Sequence, residues 1–397
     1  MDSLLYKLRD DNTWLEFLEF KKNQISSTKK EIEYFSDYIL NKKYKDIVNN
    51  IFNGYKFSIP IKHLVNKINS DKKRVVYNFN EDENMVLKII SYLFSLKYDN
   101  KYSNNCYSFR KKNGPKEAIN KLYSEGLNNL YGYKIDIKNY FNSIDINILF
   151  DKLDLFIDDD PLLLNFIKDI LSNPYVNFNN EIIKENKGIM AGIPISSFLA
   201  NNYLKDLDDY FNDILYIRYS DDIIIFSEKD ELDKYIDIIN NKISEYNLLI
   251  NNDKVTYIKP NDKFDFLGFS FENNSIDLSS ISKQKIKSKI KRTCKKLRKW
   301  MINNNASYDR AIKAVIRKFN RKFFSLSNTE LTWQLWYFPV INTTKSLHEI
   351  DLYFQDNLRF IKTGKHNKKN YNLRYSTLKE YGYKSLVNEY YKFKKNM

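Results

Sequence analysis

The sequence predicts a mixed α+β protein in which helices flank a central region of short strands. Residues 1–60 alternate apolar and charged positions at helical spacing, and helical patterns return after residue 280. Between residues 131 and 275 the pattern changes to short β-rich runs separated by helical segments. The chain has 397 residues, 43% of them hydrophobic, which is enough for two or three packed units with a sizeable core.

Individual segments predict particular elements within this arrangement. Residues 85–98 carry apolar residues on one helical face: Val86, Ile89, Ile90, Leu93 and Phe94. The segment "PLLLNFIKDIL" predicts a helix that begins at Asp160-Pro161, because aspartate caps helix starts and proline suits the first turn. Strands are predicted at "YGYKIDI", "LYIRY", "IIIF" and "FDFLGFSF".

The charge balance favours an anionic partner such as nucleic acid. The chain has 65 Lys+Arg against 50 Asp+Glu, a formal net charge of +15. An AT-rich genome also enriches Lys, Asn, Ile and Tyr, so charge alone leaves this interpretation open. Cys106, Cys294 and three histidines are too few for a disulfide framework or a zinc site of the usual spacing, which indicates the reducing cytoplasm. The sequence shows no signal peptide and no run approaching 18 apolar residues, so we expect no membrane association.

The segment "LYIRYSDDIIIFS" places two adjacent aspartates in an otherwise apolar run. Its two β-rich halves predict a hairpin with a turn at Ser220-Asp221, which would carry both carboxylates to the rim of a sheet. A solvated turn is one interpretation, but a turn needs only one aspartate. Two repelling carboxylates beside a buried hairpin are costly unless a cation neutralises them, and carboxylates suit Mg²⁺. Asp221 and Asp222 are therefore candidate metal ligands.

A metal site here needs another acid, and "YKIDIKNYFNSI" contains one. Ile135 and Ile137 point to one face of the predicted strand, so Asp136 points to the other face with Lys134 and Lys138. Alone, Asp136 would be an ordinary surface residue of a half-buried strand. The surrounding motifs favour the metal-site interpretation.

Seven motifs, in order over about residues 70–270, resemble those of reverse transcriptases. "DIKNYF" and "YSDD" resemble the two metal-binding motifs, and "GIMAGIPISSFLANNYL" between them is similar to the template and nucleotide loop-helix. Upstream, "KKRVVYNFNEDENMVLKII" and "YSFRKKNGPKEAINKL" resemble finger motifs. Downstream, "LLINNDKVTYIKP" and "FDFLGF" resemble the late-palm lysine motif and the primer grip. The resemblance implies a right-hand polymerase with a helical N-terminal extension (1–60), fingers (61–130), a palm with an antiparallel sheet (131–275, with a finger segment at about 146–187) and an α-helical thumb or C-terminal domain (276–397).

The resemblance also implies roles for individual residues. Two Mg²⁺ ions, with Mn²⁺ as an alternative, would be held at Asp136, Ile137, Asp221 and Asp222. Lys254 would join the three aspartates as a catalytic residue that protonates pyrophosphate. The incoming dNTP would be bound by Arg110, Lys73, Arg74, Phe141 and Gly192. Phe141 would exclude a ribose 2′-hydroxyl, which favours dNTPs over rNTPs. The primer grip would be Phe266, Leu267 and Gly268.

A basic amphipathic helix is predicted at "SKQKIKSKIKRTCKKLRKWM". Its apolar stripe would consist of Ile286, Ile290, Leu297 and Met301, with ten Lys/Arg filling the other positions. Lys291, Lys295 and Lys299 are candidates for binding the phosphate backbone of nucleic acid, with a solvated charged face as the alternative. The acidic runs "IDDDP" and "DLDDYFND" are interpreted as helix caps and polar helix faces.

The motifs most resemble the abortive-infection and defence-associated reverse transcriptases of bacteria. Group II intron enzymes usually have Gln-Gly where this chain has Ala191-Gly192, and the Val-Thr-Gly thumb signature of retron enzymes is not found. We therefore expect an RNA-directed DNA polymerase that extends a primer 3′-hydroxyl in anti-phage defence, with RNA template, DNA product and dNTPs as partners. A non-coding RNA encoded nearby is a further candidate partner. The alternatives are a template-independent, protein-primed polymerase, a retron-type enzyme and a non-catalytic nucleic-acid-binding protein. The sequence does not determine the oligomeric state.

Overall fold

The computed structural model describes residues 3–24, 27–66, 73–324 and 332–396. Lys72, the first residue of the first finger motif, lies outside these ranges. The chain divides into two compact units, the first formed by Met1–Asn23 and Lys29–Pro260, the second by Gln24–Thr28 and Asn261–Met397. Both helices and antiparallel strands are present, which confirms the predicted α+β class.

The first unit contains helices from its N-terminus onward and two sheets. Its described helices are α1 (Asp11–Asn23), α2 (Lys29–Leu40), α3 (Lys45–Phe52), α4 (Glu81–Lys97), α5 (Pro115–Ser124), α6 (Tyr140–Ser143), α7 (Ile146–Phe156), α8 (Pro161–Ser172), α9 (Ser196–Tyr203), α10 (Lys205–Tyr210) and α11 (Lys229–Glu245). Its described strands are β1 (Ile61–Asn66), β2 (Lys73–Asn78), β3 (Tyr131–Asp136), β4 (Tyr175–Phe178), β5 (Glu181–Lys184), β6 (Leu215–Tyr219), β7 (Asp222–Ser227) and β8 (Thr256–Ile258). Short 3₁₀ turns lie at Leu4–Arg9, Asp99–Lys101, Leu127–Asn129 and Asn252–Lys254.

Two predicted helices of this unit form with the expected local chemistry. The five apolar residues predicted to share a face of α4 are all buried, and α4 begins at Asn80 with a reciprocal capping box to Glu83. α8 begins as predicted, since Asp160 accepts a hydrogen bond from the Leu163 N–H and Pro161 occupies the first turn. Asp160 of the acidic run is therefore a cap, as predicted, while Asp158 and Asp159 pair with Lys101 and Lys97.

The sheet that positions the predicted site has the strand order β6-β7-β3-β8. β6 and β7 form the predicted hairpin, in which Tyr219 pairs with Asp222 and Ser220 has φ +60° in the turn. β7 also pairs antiparallel with β3, and α11 packs against both strands. Isoleucines of β3 and β7, among them Ile135 and Ile223, are completely buried and form the core beneath the sheet. A second sheet of this unit has the order β2-β1-β4-β5.

The second unit combines a small sheet with helices. Its described elements are β9 (Phe264–Phe266), β10 (Phe269–Glu272), β11 (Ser275–Leu278), α12 (Ser280–Asn303), α13 (Tyr308–Phe324), α14 (Trp333–Trp336), α15 (Lys345–Thr363), α16 (Tyr375–Glu380) and α17 (Leu386–Lys395), with a 3₁₀ turn at Lys368–Asn372. The three strands pair in the order β11-β10-β9. α15 packs on β11, where Ser346 donates from its N–H and its hydroxyl to Asp277. The predicted return to helices after residue 280 is confirmed for the described residues.

The buried face of α12 differs from the predicted apolar stripe. Ile286 and Ile290 are buried as expected, but the face continues through Thr293 and Cys294. Leu297 and Met301 are only half-buried. The helix therefore turns a small polar residue and a thiol into the core where the sequence pattern favoured larger apolar side chains. Within the described parts of the chain, no helix is long and apolar enough to cross a membrane.

Candidate active site

Asp136 and the adjacent pair Asp221 and Asp222 lie far apart in the sequence but meet at the end of the β3–β7 pair. Asp136, the last residue of β3, pairs in register with Asp222, the first residue of β7. Asp221 occupies the turn that precedes β7, and its carbonyl accepts a hydrogen bond of 3.0 Å from the Ile137 N–H. The backbone thus places three carboxylate-bearing residues at one edge of the sheet, with the backbone of Ile137 linking the two chain segments.

Asp136 is held by the segment that follows α11. Lys254 Nζ lies 2.5 Å from one Asp136 carboxylate oxygen, and Asn251 Nδ2 lies 3.1 Å from the other. The Asn251 N–H also donates to the Asp136 carbonyl at 2.8 Å. Asp136 is only 5% exposed, so it is not the ordinary surface residue that the strand pattern alone would suggest. Asn251 was missed by the sequence analysis, although it stands three residues before Lys254 in the same motif.

Burial and mutual repulsion disfavour the ionised forms of Asp221 and Asp222. Burial raises the pKa of Asp221, and the nearby Asp136 raises it further. Burial also raises the pKa of Asp222 to about 6, with contributions from Asp221 and Asp136. A divalent cation at this edge would offset the repulsion, and the carboxylate oxygens are the ligands that Mg²⁺ prefers.

The side chains are not arranged as a closed metal cage. In the portions of the chain that the structure describes, no group of three or more His, Cys, Asp or Glu is arranged to hold a metal ion. Both carboxylate oxygens of Asp136 are bound by Asn251 and Lys254. The donor set fits divalent ions by charge and chemistry, and ion binding at Asp136 would replace contacts made here by Lys254 or Asn251.

A buried ion pair lies beneath the hairpin. Arg218 and Asp208 are both completely buried, with Nη2–Oδ2 and Nε–Oδ1 distances of 2.5 and 2.7 Å. Arg218 Nη1 also donates to the carbonyl of Ser220, in the turn that carries Asp221. Asp208 lies in the run "DLDDYFND", which was predicted to be a polar helix face; that prediction is wrong for this residue, because Asp208 pairs inward with the arginine of β6.

Phe141 is half-buried beside the loop that contains Gly192. The Phe141 carbonyl accepts a hydrogen bond from the Ile189 N–H. The neighbouring Asn142 bridges this loop to β2, since it accepts from the Ala191 N–H and donates to the Val75 carbonyl. Gly192 has φ +109°, and a Cβ there would lie 2.9 Å from the Tyr77 carbonyl oxygen, so this close approach to β2 requires glycine. The roles of Phe141 and Gly192 in dNTP binding stay predictions.

The structure gives Arg110 partners within its own loop. Its side chain is 7% exposed and pairs with Asp99, and its guanidinium donates to the carbonyls of Asp99, Ser103 and Cys106. A triphosphate role for Arg110 stays a prediction, and it would require these contacts to break. Lys73 and Arg74, by contrast, are exposed at the start of β2.

The predicted primer grip and nucleic-acid-binding lysines lie in the second unit. Phe266 is buried at the end of β9, and Leu267 and Gly268 form a two-residue turn with φ +47° and +88°. Such left-handed values at both positions are typical of tight β-hairpins. The Gly268 carbonyl accepts hydrogen bonds from Ser279 and Ser282 at the start of α12. Lys291, Lys295 and Lys299 are exposed on α12, away from its buried face.

The sequence profile of one family matches residues 65–271, more than half of the chain, and includes all three aspartates and Lys254. That family is described as "Reverse transcriptase (RNA-dependent DNA polymerase)". The chain belongs to the reverse transcriptase family. The predicted right-hand polymerase fold and the predicted enzyme class, an RNA-directed DNA polymerase, are confirmed by this match. Reverse transcriptase domains generally use divalent metal ions.

Several solved structures resemble this reverse transcriptase at low sequence identity. Telomerase from Candida albicans, in complex with the TWJ fragment of telomeric RNA, is 13% identical with a TM-score of 0.46, over 87% of this chain and 68% of that one. Apo telomerase from Candida Tropicalis is 15% identical with a TM-score of 0.44, over 82% and 67%. A form truncated from the C-terminal domain is 16% identical with a TM-score of 0.40, over 56% of this chain and 55% of that chain. No curated protein sequence matches the chain.

Proposed function

We propose that this reverse transcriptase extends a primer 3′-hydroxyl with dNTPs on an RNA template, with two divalent ions held by Asp136, Asp221 and Asp222. The observation that carries the proposal is the convergence of these aspartates, two of which have a raised pKa because they are buried beside one another. Mg²⁺ is the ion that the oxygen ligands favour. When bound, such ions activate the primer hydroxyl and stabilise the charge of the leaving pyrophosphate.

The protein's own residues would position the reactants, since phosphoryl transfer depends mainly on positioning and charge. Arg218 supports the turn that carries Asp221 through the Ser220 carbonyl. Asn251 fixes the carboxylate of Asp136. Lys254 neutralises Asp136 in this state, and its ammonium group would be available as a proton donor to pyrophosphate once ions replace it.

A primer-extension assay with and without an RNA template tests the proposed activity. Purified protein given an RNA template, a DNA primer, dNTPs and Mg²⁺ is expected to make DNA complementary to the template, and EDTA is expected to stop synthesis. Omission of the RNA should leave the primer unextended. DNA of simple or random sequence attached to the protein without a template would instead favour the template-independent, protein-primed alternative. Nucleic-acid binding without incorporation under any of these conditions would favour the non-catalytic alternative.

We further propose that α12 binds the template-primer backbone. Replacing Lys291, Lys295 and Lys299 by Gln is expected to weaken duplex binding similarly across sequences, because phosphate contacts carry no base information. The slope of log binding constant against log salt should become less steep by about one unit per lost contact. A matched control replaces the exposed Lys29, Lys30 and Lys43 by Gln, which removes the same charge from another surface. Equal effects of the two triple variants would show that net charge, and not α12, governs binding.

The biological role that we propose is anti-phage defence in the bacterial cytoplasm. It is supported by the resemblance of "NFNEDENMVLK", "YSFRKKNG", "DIKNYFNSI" and "GIPISSFLANNYL" to defence-associated reverse transcriptases. A non-coding RNA encoded nearby would be a candidate template. Sequencing the nucleic acids bound to the protein in infected and uninfected cells would identify it: a discrete neighbouring transcript with complementary DNA supports the RNA-templated role.

A further inference from the structure

Phe109 has an unusual backbone conformation at the surface of the first unit. It lies in the loop between the 3₁₀ turn Asp99–Lys101 and α5, with φ +57° and 49% of its surface exposed. A bulky residue rarely adopts a positive φ. Such strained conformations persist only where the surroundings fix them, and they are concentrated at functional sites.

The residues on both sides of Phe109 are anchored. Ser108 is completely buried, where its hydroxyl donates to Asn201 Oδ1 at 2.7 Å and its carbonyl accepts from Asn201 Nδ2 at 2.7 Å. On the other side, the Arg110 guanidinium donates to the carbonyl of Asp99 at 2.8 Å and pairs with its carboxylate. The loop therefore turns the arginine inward and the phenylalanine outward.

The outward ring of Phe109 contacts both Phe141 and the hairpin formed by β6 and β7. It meets Phe141 edge to face, with the ring centroids 6.2 Å apart and an interplanar angle of 88°. It also contacts Tyr219, at 6.1 Å and 38°. Tyr219 is the last residue of β6 and precedes the turn that carries Asp221. Edge-to-face contacts restrict the orientation of both rings, beyond the burial of apolar surface.

We propose that Phe109 is a positioning residue for sugar selection: its ring fixes the ring of Phe141 in the orientation that excludes a ribose 2′-hydroxyl. The inference rests on the proposed role of Phe141 in dNTP binding. In this proposal the loop that contains Phe109 holds the Phe141 side chain against the β6–β7 hairpin. Phe109 acts through Phe141 and need not touch the reacting atoms.

The test compares single-nucleotide incorporation of a dNTP and the matching rNTP, measured as kcat/KM for each. Phe109→Gly removes the ring and suits the positive φ, so the loop and the melting temperature should be retained. The preference for dNTP over rNTP is expected to fall about 3- to 10-fold, the size expected for one lost aromatic contact. Phe109→Leu should show a similar fall, and Phe109→Tyr should restore the parental ratio.

Two further variants separate this inference from the role of Phe141. Phe141→Ala should lower the preference at least as much, and adding Phe109→Gly to it should cause no further fall, because the second ring acts through the first. Tyr123→Ala, at a 50% exposed aromatic of α5, is the matched control and should change nothing. The inference would be overturned if the dNTP preference fell in Phe141→Ala but not in Phe109→Gly. It would also be overturned if Phe109→Gly lowered kcat/KM equally for dNTP and rNTP. Either result would leave the proposed function intact. No shift in either variant would overturn the assignment of Phe141 as well.

Discussion

Replacing Asp221 by Asn is expected to abolish DNA synthesis while leaving nucleic-acid binding nearly unchanged. The change removes one charge from the proposed metal-binding set, which should raise the reaction barrier by several kcal/mol and lower kcat by roughly 10³-fold or more. Lysines of the second unit are untouched, so binding of a template-primer duplex should persist. Primer extension and a filter or anisotropy binding assay on the same preparation measure both properties.

Stability offers a second readout for the same variant. The folded-state pKa values of Asp221 and Asp222 are raised, so the folded protein holds their protons more tightly than the unfolded chain does. The free energy of unfolding therefore falls as pH rises from the unfolded to the folded pKa values, and at neutral pH the ionised carboxylates destabilise the fold. The neutral amide removes part of that penalty. Without divalent ions, Asp221→Asn should therefore melt at the same temperature as the parent or higher. The exposed Asp213→Asn is the control and should retain full activity. Parental activity in Asp221→Asn would refute the proposed metal role of this aspartate.

The same substitution tests the proposed defence role in cells. A strain that carries the native locus is expected to resist some phages, and the Asp221→Asn strain should lose that resistance while accumulating the protein normally. Protein levels by immunoblot and plaque counts provide the measurements. Full resistance in the variant strain would show that polymerisation is not the defensive act.

Arg218→Met is expected to destabilise the first unit by about 3–5 kcal/mol, because it leaves the Asp208 carboxylate buried without its partner. The variant also removes the hydrogen bond to the Ser220 carbonyl. The rate of dNTP incorporation should therefore fall even at temperatures at which the variant stays folded. Thermal and denaturant unfolding of the purified variants measure the first effect, and primer extension at low temperature measures the second.

A double variant distinguishes charge burial from packing. Arg218→Met combined with Asp208→Leu removes both charges and should recover much of the lost stability, since a buried ion pair and an apolar pair of similar volume are often nearly equivalent. Lys234→Met is the control, because Lys234 and Glu231 form an exposed pair and such pairs contribute about 0–1 kcal/mol. A stability of Arg218→Met equal to that of Lys234→Met would contradict the structural role of the buried pair.

The elements around the β6–β7 hairpin were predictable because their signals are local. Short β-rich runs define β3, β6 and β7, the Ser220-Asp221 turn joins β6 to β7, and an Asp-Pro pair begins α8. The order of the motifs implied that Asp136 lies on a strand next to the hairpin, but it did not predict the register that pairs Asp136 with Asp222. Local periodicity alone would not have chosen these partners.

The side-chain partners were less predictable. Whether Phe109 or Arg110 faces outward depends on one positive φ, which a run of mixed polar and aromatic letters does not encode. The burial of Arg218 opposite Asp208 is a tertiary pairing between β6 and α10. Asn251 reaches Asp136 only because the segment after α11 returns across the end of β3. None of these three arrangements is encoded by local periodicity, and the contact of Asn251 with Asp136 also joins segments that are far apart in the sequence.

The pairing of β3 with β7 joins two segments that are far apart in the chain. Asp136 and Asp222 are separated by residues 137–221, which form helices and strands of the first unit. Closing such a long loop costs entropy before the pairing repays it, so contacts of this kind form slowly. A nascent chain that has emerged only as far as β6 has Asp136 but neither Asp221 nor Asp222. A truncated product that ends with β6 therefore lacks two of the three aspartates and the strand that pairs with β3.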